Sequence, residues 1–274
     1  MINGLSFDIE DWFQVENLRE VCPLEKWGSY ELRVEKNTDM LLELLEKYNH
    51  KATFFILGWI AEKKPNLIKK IASLGHEIAS HGYGHETVYK LSPDEFRRDL
   101  MISKKMLEDL TGAEVIGYRA PNFSITKDSL WAIDILKELN FKYDSSIFPI
   151  PFHDRYGFNG LNGNNFFKFE NGLKEFLLTV YKFGGINFPL GGGAYFRFMP
   201  YGIFRFMLKG INRRGGSFIF YLHPWELDKG QPRLKISRKY YMRHYTNLDK
   251  TAHKLKRLLQ DFKFQPLKNF LNTD

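Results

Sequence analysis

Segments with the pattern of short β-strands alternate with amphipathic helical segments along most of this chain. The runs Leu5–Ile9, Ala52–Leu57 and Glu77–Ala79 are typical of buried strands, and helical patterns separate them. Strands that alternate with helices predict a parallel sheet in an α/β fold. With 274 residues, the chain fits a single α/β barrel domain.

Capping residues indicate where several helices begin and end. Asn37 is a predicted start signal for a helix over Thr38–Tyr48, and Ser92 with Pro93 begins a helix that ends before Gly112. Further helices are predicted at Pro65–Leu74, Lys127–Leu139 and Asp249–Phe262, and further strands at Val115–Tyr118 and Ser217–Leu222.

The alternation breaks between about residues 150 and 215, where Phe, Gly and Asn are frequent. We interpret this segment, with Asn159–Asn165 at its centre, as loops and short strands inserted over one face. Residues 228–274 are expected to form a C-terminal helical extension. Phe196–Arg214 mixes aromatic and basic residues, which favours a helix packed on the barrel. A helix that lies on a membrane surface is the alternative.

Four polar clusters each follow a predicted strand. They are Asp8–Asp11, His81–His85, Arg119–Phe123 and His223–Glu226. The carboxyl ends of parallel strands share one rim of an α/β barrel, where active sites are built. Four clusters on that rim favour an active site over unrelated solvated turns and structural histidines.

The first two clusters together predict a metal site. Two glycines between His81 and His85 disfavour an unbroken helix, so a loop can direct both imidazoles to one point. Two histidines and one carboxylate are a standard ligand set for catalytic zinc. Glu10 and Asp11 are both candidates for the third ligand.

The other two clusters contain groups suited to ion pairing and proton transfer. A buried Arg119 would need a carboxylate partner, and Asp8 is the candidate, although an ordinary salt bridge is the alternative. His223 can act as a general acid. Beside it, Trp225 would offer an apolar face on which a ring can stack.

Taken in order, these residues resemble the motifs of the polysaccharide deacetylase family (NodB homology, carbohydrate esterase family 4). The resemblance covers about residues 4–150 and 215–227. It implies a distorted or incomplete (β/α) barrel that forms one domain over residues 1–274. The implied roles are Asp8 as base, His81 and His85 as metal ligands, Arg119 and Pro121 as the R-x-P motif with Arg119 orienting Asp8, His223 as acid and Asp144 as the carboxylate that favours its cationic form.

Two departures from the family pattern affect the ligands and the substrate. The usual Asp-Asp pair is absent, and a related branch with Asp-x-Asp spacing slightly favours Glu10 over Asp11 as the third ligand. Gly82 stands where Ser or Thr is usual, as in peptidoglycan deacetylase-like and allantoinase-like members. The sequences of Asp8–Trp12 and Gly191–Arg197 resemble those of the deacetylases found in exosortase-linked exopolysaccharide loci.

The resemblance implies a hydrolase that removes N-acetyl groups from a poly- or oligosaccharide, either an exopolysaccharide or its lipid-linked precursor. The expected cofactor is a divalent metal, with zinc favoured and Co²⁺ or Ni²⁺ as alternatives. The expected substrate contacts are Tyr83, Pro121, Asn122 and Trp225. The alternatives are a C–N hydrolase on a non-sugar amide and a catalytically silent carbohydrate-binding protein.

The net charge of +8 suits an anionic partner, although a lysine-rich surface explains it as well. No nucleic-acid motif is present, and the single cysteine, Cys22, allows no intramolecular disulfide. The N-terminus lacks the basic and apolar regions of a signal peptide. We expect a cytoplasmic protein, with peripheral association at the inner face of the membrane as an open alternative and no indication of oligomeric state.

Overall fold

The computed structural model describes residues 1–150, 157 and 166–272. The Asn159–Asn165 part of the predicted insertion lies outside these residues. The strands are β1 (Ile2–Ile9), β2 (Thr53–Ile56), β3 (Glu77–Ser80), β4 (Gly117–Tyr118), β5 (Tyr143–Asp144), β6 (Phe166–Lys168), β7 (Lys174–Phe176), β8 (Val180–Phe183), β9 (Ile186–Pro189), β10 (Ile219–Leu222) and β11 (Lys263–Gln265). The helices are α1 (Val34–Lys47), α2 (Gly58–Lys63), α3 (Pro65–Ser73), α4 (Pro93–Thr111), α5 (Trp131–Glu138), α6 (Gly193–Phe198), α7 (Tyr201–Arg213), α8 (Arg238–Tyr245) and α9 (Leu248–Asp261).

The main sheet has the strand order β10-β1-β2-β3-β4-β5-β7-β6, and β11 also pairs with β1. Its strand pairs are parallel except for β6 with β7. The terminal strands of this order, β10 and β6, do not pair within the described part of the chain. The sheet is therefore a curled, incomplete barrel, as the family resemblance implied.

The first three strands carry almost only buried side chains. Leu5, Phe7 and Ile9 of β1 are completely buried, and every residue of β2 and β3 is buried. This burial on both faces is typical of parallel strands that helices cover. The rigid core holds the carboxyl ends of β10, β1 and β3 close together, and the polar clusters begin at these ends.

The structure confirms one predicted helix start and corrects another. Ser92 begins α4 with a capping box, in which its hydroxyl accepts the N–H of Glu95. The predicted start at Asn37 is wrong, because α1 begins three residues earlier, at Val34. The carboxylate of Asp11 accepts the N–H groups of Arg33 (2.6 Å) and Val34 (2.8 Å), and so it caps α1 from a distant loop.

The C-terminal part of the chain is not purely helical, in contrast to the expectation. Helices α8 and α9 are followed by β11, which pairs in parallel with Ile2–Gly4 of β1. Phe264 on β11 packs edge-on against Phe218, and this apolar contact explains why the segment returns to the sheet. The Phe196–Arg214 segment forms parts of α6 and α7, and Phe204 and Leu208 are buried in the core.

No helix among residues 1–150 and 166–272 combines the length and the apolar character that crossing a bilayer requires.

Candidate active site

One cavity is lined by polar side chains that lie at the carboxyl ends of β1, β3 and β10 or in the loops after them. It has a volume of about 430 Å³, and its lining includes Asp8, Glu10, His81, His85 and His223. Strand β1 lies between β10 and β2, and β3 follows β2, so the three strand ends meet at one rim. The acidic cluster, the histidine loop and the His223 cluster therefore converge on one cavity, as the sequence predicted.

Glu10, His81 and His85 form a cluster with the composition of a metal site. One ligand atom from each residue lies within 4.8 Å of the others. All three are buried, with exposed fractions of 2%, 2% and 4%. The Oε2 atom of Glu10 lies 2.7 Å from Nε2 of His85.

The hydrogen bonds around this cluster leave metal-ligating atoms available. The Nδ1–H of His81 donates to the carbonyl of Arg119 (2.7 Å), which leaves its Nε2 as the ligand atom. Glu10 Oε2 faces His85 Nε2 at 2.7 Å, and His85 Nδ1 is buried without a hydrogen-bond partner. Burial lowers the pKa of His81 to about 4, so its ring is neutral, as metal binding requires. These residues therefore fit a divalent cation.

Asp11, the other candidate for the third ligand, lies outside this cluster. Besides the two N–H groups at the start of α1, its carboxylate accepts the N–H of Trp12 (2.8 Å). Burial raises its pKa to about 6 despite these hydrogen bonds. The structure thus assigns Asp11 to the capping of α1 and brings Glu10 to the histidines.

The histidine loop depends on Gly82 and Asp99. Gly82 has φ +72°, and a Cβ there would lie 2.7 Å from a carboxylate oxygen of Asp99. That carboxylate accepts the N–H groups of Tyr83 (2.9 Å) and Gly84 (3.4 Å). The departure from Ser or Thr at position 82 therefore has a local reason, since the loop needs a residue that tolerates positive φ without a side chain.

Asp8 and Arg119 form a buried ion pair, as the sequence predicted. Arg119 Nη1 donates to Asp8 Oδ1 (2.6 Å) and also to the hydroxyl of Ser6 (2.8 Å). Its other donors reach the carbonyl and the hydroxyl of Ser145, both at 3.0 Å. With a completely buried guanidinium fixed by so many contacts, Asp8 is held in one orientation at the cavity wall.

His223 is paired with Glu226. Its Nδ1–H donates to Glu226 Oε1 (2.8 Å), and Glu226 Oε2 accepts the Nε–H of Arg197 (2.6 Å). Nε2 of His223 lies 3.4 Å from Glu10 Oε1 and 3.8 Å from Asp8 Oδ2. Although burial opposes the charged ring, Glu10 and Glu226 raise the pKa of His223 to about 9.

The predicted pairing of Asp144 with His223 is not present. Asp144 Oδ1 accepts the hydroxyl of Ser146 (2.5 Å). Burial raises the pKa of Asp144 and that of Glu175 on the neighbouring strand β7, and the two carboxyl groups interact with each other. Asp144 and Glu175 are both completely buried and lie opposite each other on β5 and β7, so Asp144 belongs to the sheet interior.

A glycine-rich turn brings Arg197 to Glu226. Gly192 has φ +138°, and a Cβ there would lie 1.8 Å from the carbonyl oxygen of Tyr221. The close approach is reinforced because the N–H of Tyr221 donates to the carbonyl of Gly191 (2.7 Å). Helix α6 therefore begins in contact with Tyr221 of β10, which stands two residues before His223. From this position Arg197 of α6 reaches the carboxylate of Glu226.

The four predicted substrate contacts divide into two groups. Asn122 and Trp225 line the cavity, but Pro121 and Tyr83 are absent from its lining. The hydroxyl of Tyr83 donates instead to Glu62 at the surface (2.5 Å). The Nδ2 atom of Asn122 is buried without a hydrogen-bond partner, which makes it available to a bound molecule.

The predicted stacking role of Trp225 needs correction. Its ring already stacks on His244, with centroids 4.4 Å apart, and on His223 at 5.4 Å. Its Nε1–H donates to Glu10 Oε1 (3.1 Å), and only 4% of the residue is exposed. Trp225 therefore supports Glu10 and His223 and leaves little ring surface for a sugar.

Sequence reasoning placed Glu226 in the fourth cluster without giving it a role, and it did not identify Arg197 as part of the site. One local signal was present for Glu226. It stands three positions after His223 and accepts the N–H of that residue (3.2 Å), which is the spacing of a capping box. Arg197 is separated from Glu226 by 29 positions, and no local pattern announces their contact.

Two family models each match part of this chain. Residues 27–143 match the polysaccharide deacetylase family, and residues 145–272 match a domain of unknown function, DUF3473. The chain is 39% identical to a peptidoglycan-N-acetylglucosamine deacetylase of Bacillus cereus over 98 residues, which are 35% of this chain and 36% of the relative. The chain thus spans little more than a third of the length of that curated relative.

Solved structures agree on the fold. A protein described as a polysaccharide deacetylase from Mycobacterium smegmatis superposes with a TM-score of 0.59 at 20% identity, over 98% of this chain and 88% of that one. A family 4 pseudoenzyme from Bacillus anthracis superposes with a TM-score of 0.51 at 16% identity, over 99% of this chain and 65% of that one. Because the fold occurs in a pseudoenzyme, it does not decide activity. Residues 27–143 of this chain therefore match the polysaccharide deacetylase family, residues 145–272 match DUF3473, and the fold is that of solved polysaccharide deacetylase-type structures.

Proposed function

We propose that this protein is a metal-dependent hydrolase that removes N-acetyl groups from the amino sugars of a glycan. One observation carries the proposal. The cluster of Glu10, His81 and His85 shares a cavity with an arginine-bound carboxylate, Asp8, and with a cationic imidazole, His223. Hydrolysis of an acetamide needs these three functions, and the family relationship supports this chemistry.

Glu10, His81 and His85 would hold the cation. Two imidazole nitrogens and one carboxylate oxygen suit zinc, which keeps an open position in such sites, and Co²⁺ or Ni²⁺ are the alternatives. A divalent metal bound there supplies a Lewis acid and lowers the pKa of water toward about 7.

Asp8 would act as the base. Its Oδ1 is occupied by Arg119, and its Oδ2 faces the cavity, 3.8 Å from His223 Nε2. As water attacks the acetamide carbonyl, a C–O bond forms and Asp8 accepts the proton. Arg119 fixes the carboxylate, so that little orientational freedom is lost when the substrate binds.

His223 would act as the acid. Glu226 binds its Nδ1–H and keeps the ring protonated, so that Nε2–H points toward the reacting groups. When the C–N bond breaks, His223 donates this proton to the departing amine nitrogen. The products are acetate and a glucosamine-type residue.

The cavity suits a sugar ring better than a small ureide. Its lining includes the aromatic residues Phe123, Tyr195 and Tyr221, and the free amide of Asn122. Apolar and aromatic side chains with a few placed polar groups are typical of pockets that bind small molecules, and aromatic faces also suit stacking of a sugar ring. We therefore propose an exopolysaccharide or its precursor as substrate, and a non-sugar amide remains the rival.

An acetate-release assay separates these alternatives. The full chain, loaded with zinc, is incubated with N-acetylated glucosamine oligosaccharides and, in parallel, with a ureide. Acetate release that disappears in Asp8→Asn while zinc remains bound supports the proposal. Hydrolysis of the ureide alone would establish the rival activity, and zinc binding without any turnover would indicate a catalytically silent carbohydrate-binding protein.

A further inference from the structure

The positive charge of this protein is concentrated in one part of the chain. Residues 176–248 contain twelve Lys and Arg and only two acidic residues, a net charge of +10, whereas the whole chain carries +8. Both acids in this stretch are internal to the fold. Glu226 binds Arg197 and His223, and Asp228 binds Arg33 (2.5 Å). Apart from the buried Arg197 and from Arg205, which pairs with Asp261 of α9 (2.8 Å), the stretch has ten basic side chains that are not buried.

The same stretch also exposes large apolar side chains. Among the described residues, six of the thirteen strongly exposed large apolar side chains belong to it. On α7, Ile203 and Phe206 are 52% and 66% exposed, and their spacing of three places them on one face of the helix. Their neighbours Phe204 and Leu208 are completely buried, so α7 is apolar on both its core side and part of its outer side.

The exposed apolar residues reach the mouth of the active-site cavity. Phe198, at the end of α6, is 46% exposed, and Met242 on α8 is 50% exposed. Both line the cavity, together with the basic residues Lys239 and Arg243. We call the exposed residues Phe198, Ile203, Phe206, Tyr241 and Met242, with the Lys and Arg of residues 176–248 other than Arg197 and Arg205, the docking surface.

We propose that the docking surface binds an anionic lipid bilayer, so that the cavity takes its glycan from a lipid-linked substrate at the membrane. Anionic headgroups complement the positive charge. Ile and Met side chains have no ring for stacking on sugars and suit the boundary between headgroups and acyl chains. This combination favours a bilayer over a soluble acidic polysaccharide. The inference about the substrate rests on the proposed deacetylase function, but the binding itself does not.

Vesicle co-sedimentation of the full chain tests the proposal. Vesicles of phosphatidylcholine alone are compared with vesicles that also contain phosphatidylglycerol. The protein should sediment only with the anionic vesicles, and added salt should release it. The double substitution Ile203→Ser with Phe206→Ser should weaken binding by roughly tenfold or more, as should Arg213→Glu with Arg214→Glu.

A matched control uses two equally exposed apolar residues elsewhere. Met101 and Ile102 on α4 are each 53% exposed, and their replacement by Ser should leave vesicle binding unchanged. Absence of binding to anionic vesicles would overturn the proposal. Equal binding by wild type and both double variants, or capture by a soluble acidic polysaccharide but not by vesicles, would overturn it as well.

Acetate release from a soluble N-acetylated oligosaccharide distinguishes this failure from failure of the proposed function. Ile203 and Phe206 do not line the cavity, so their Ser variants should keep wild-type turnover of that substrate. A protein that turns over the soluble substrate and ignores vesicles contradicts only the docking surface. A protein that binds vesicles and releases no acetate contradicts only the deacetylase proposal.

Discussion

His223 and Glu226 are joined by a hydrogen bond of 2.8 Å between Nδ1 and Oε1. Both residues come from the DUF3473 part of the chain, as does Arg197, which binds the other oxygen of Glu226. The proposed acid of the reaction is thus supplied and oriented by the segment that matches DUF3473, whereas Glu10, His81 and His85 precede that segment. Neither part contains the whole candidate site.

Replacing Glu226 by Gln should shift the pH dependence of turnover. Glu226 helps to raise the pKa of His223 to about 9, and an acid must be protonated to act. Loss of the negative charge lowers this pKa, so the alkaline limb of the kcat profile should move to lower pH by roughly one unit. Glu16→Gln removes another carboxylate from the cavity lining and should leave the limb in place. An unmoved limb in Glu226→Gln would separate Glu226 from the acid function.

Replacing Arg197 by Met should destabilise the protein strongly. Arg197 is 1% exposed, and besides Glu226 it binds the carbonyls of Arg243, His244 and Thr246. Its removal leaves Glu226 buried with one partner fewer, which costs about 3–5 kcal/mol in comparable buried pairs. Arg197→Lys keeps the charge and should lose less. Denaturant unfolding measures both, and equal stability of Arg197→Met and wild type would contradict the ion pair.

Asp11→Ala should lower stability without loss of zinc, whereas Glu10→Ala should lose zinc. Asp11 caps α1 through the N–H groups of Arg33 and Val34, so its removal should lower the free energy of unfolding by about 1–2 kcal/mol and leave zinc bound. Glu10→Ala should abolish zinc binding. Zinc content by elemental analysis, with thermal unfolding, distinguishes them. Loss of zinc in Asp11→Ala alone would make Asp11 the ligand.

Gly192→Ala should destabilise the fold by at least about 2 kcal/mol, because the residue has φ +138° and its Cβ would overlap the carbonyl of Tyr221. Gly202 on α7 provides the control, since a Cβ there meets nothing within 4 Å. Gly202→Ala should stabilise the protein by up to about 1 kcal/mol. If the two variants unfolded at the same denaturant concentration, the close approach of α6 to β10 would not be required.

The sequence was sufficient for features whose cause is local or periodic. The pattern of apolar residues predicted β1 to β3, and Ser92 followed by Pro93 predicted the start of α4. The position of His81 and His85 after a strand predicted their convergence with the acidic cluster, because parallel strands share one rim.

Features that depend on distant contacts were missed or wrong. Asp11 caps the start of α1 from 22 residues away. The local pattern at Asn37 therefore predicted the wrong first residue for this helix. Asp144 and Glu226 are both completely buried carboxylates near active-site motifs. Glu226 reaches His223 through a local capping box, whereas only the packing of α6 against β10 brings Arg197 into contact with Glu226. Spacing in the sequence contains no information about that contact.

The most direct test of the account is acetate release by protein that has been stripped of metal and then reloaded. Wild-type protein treated with a chelator should release no acetate from N-acetylated glucosamine oligosaccharides, and added zinc should restore release. Glu10→Ala should stay inactive after the same addition, because the cluster with His81 and His85 is incomplete. Undiminished release by the stripped protein, or full restoration of Glu10→Ala by zinc, would contradict the assignment of this cluster as the metal site of a deacetylase.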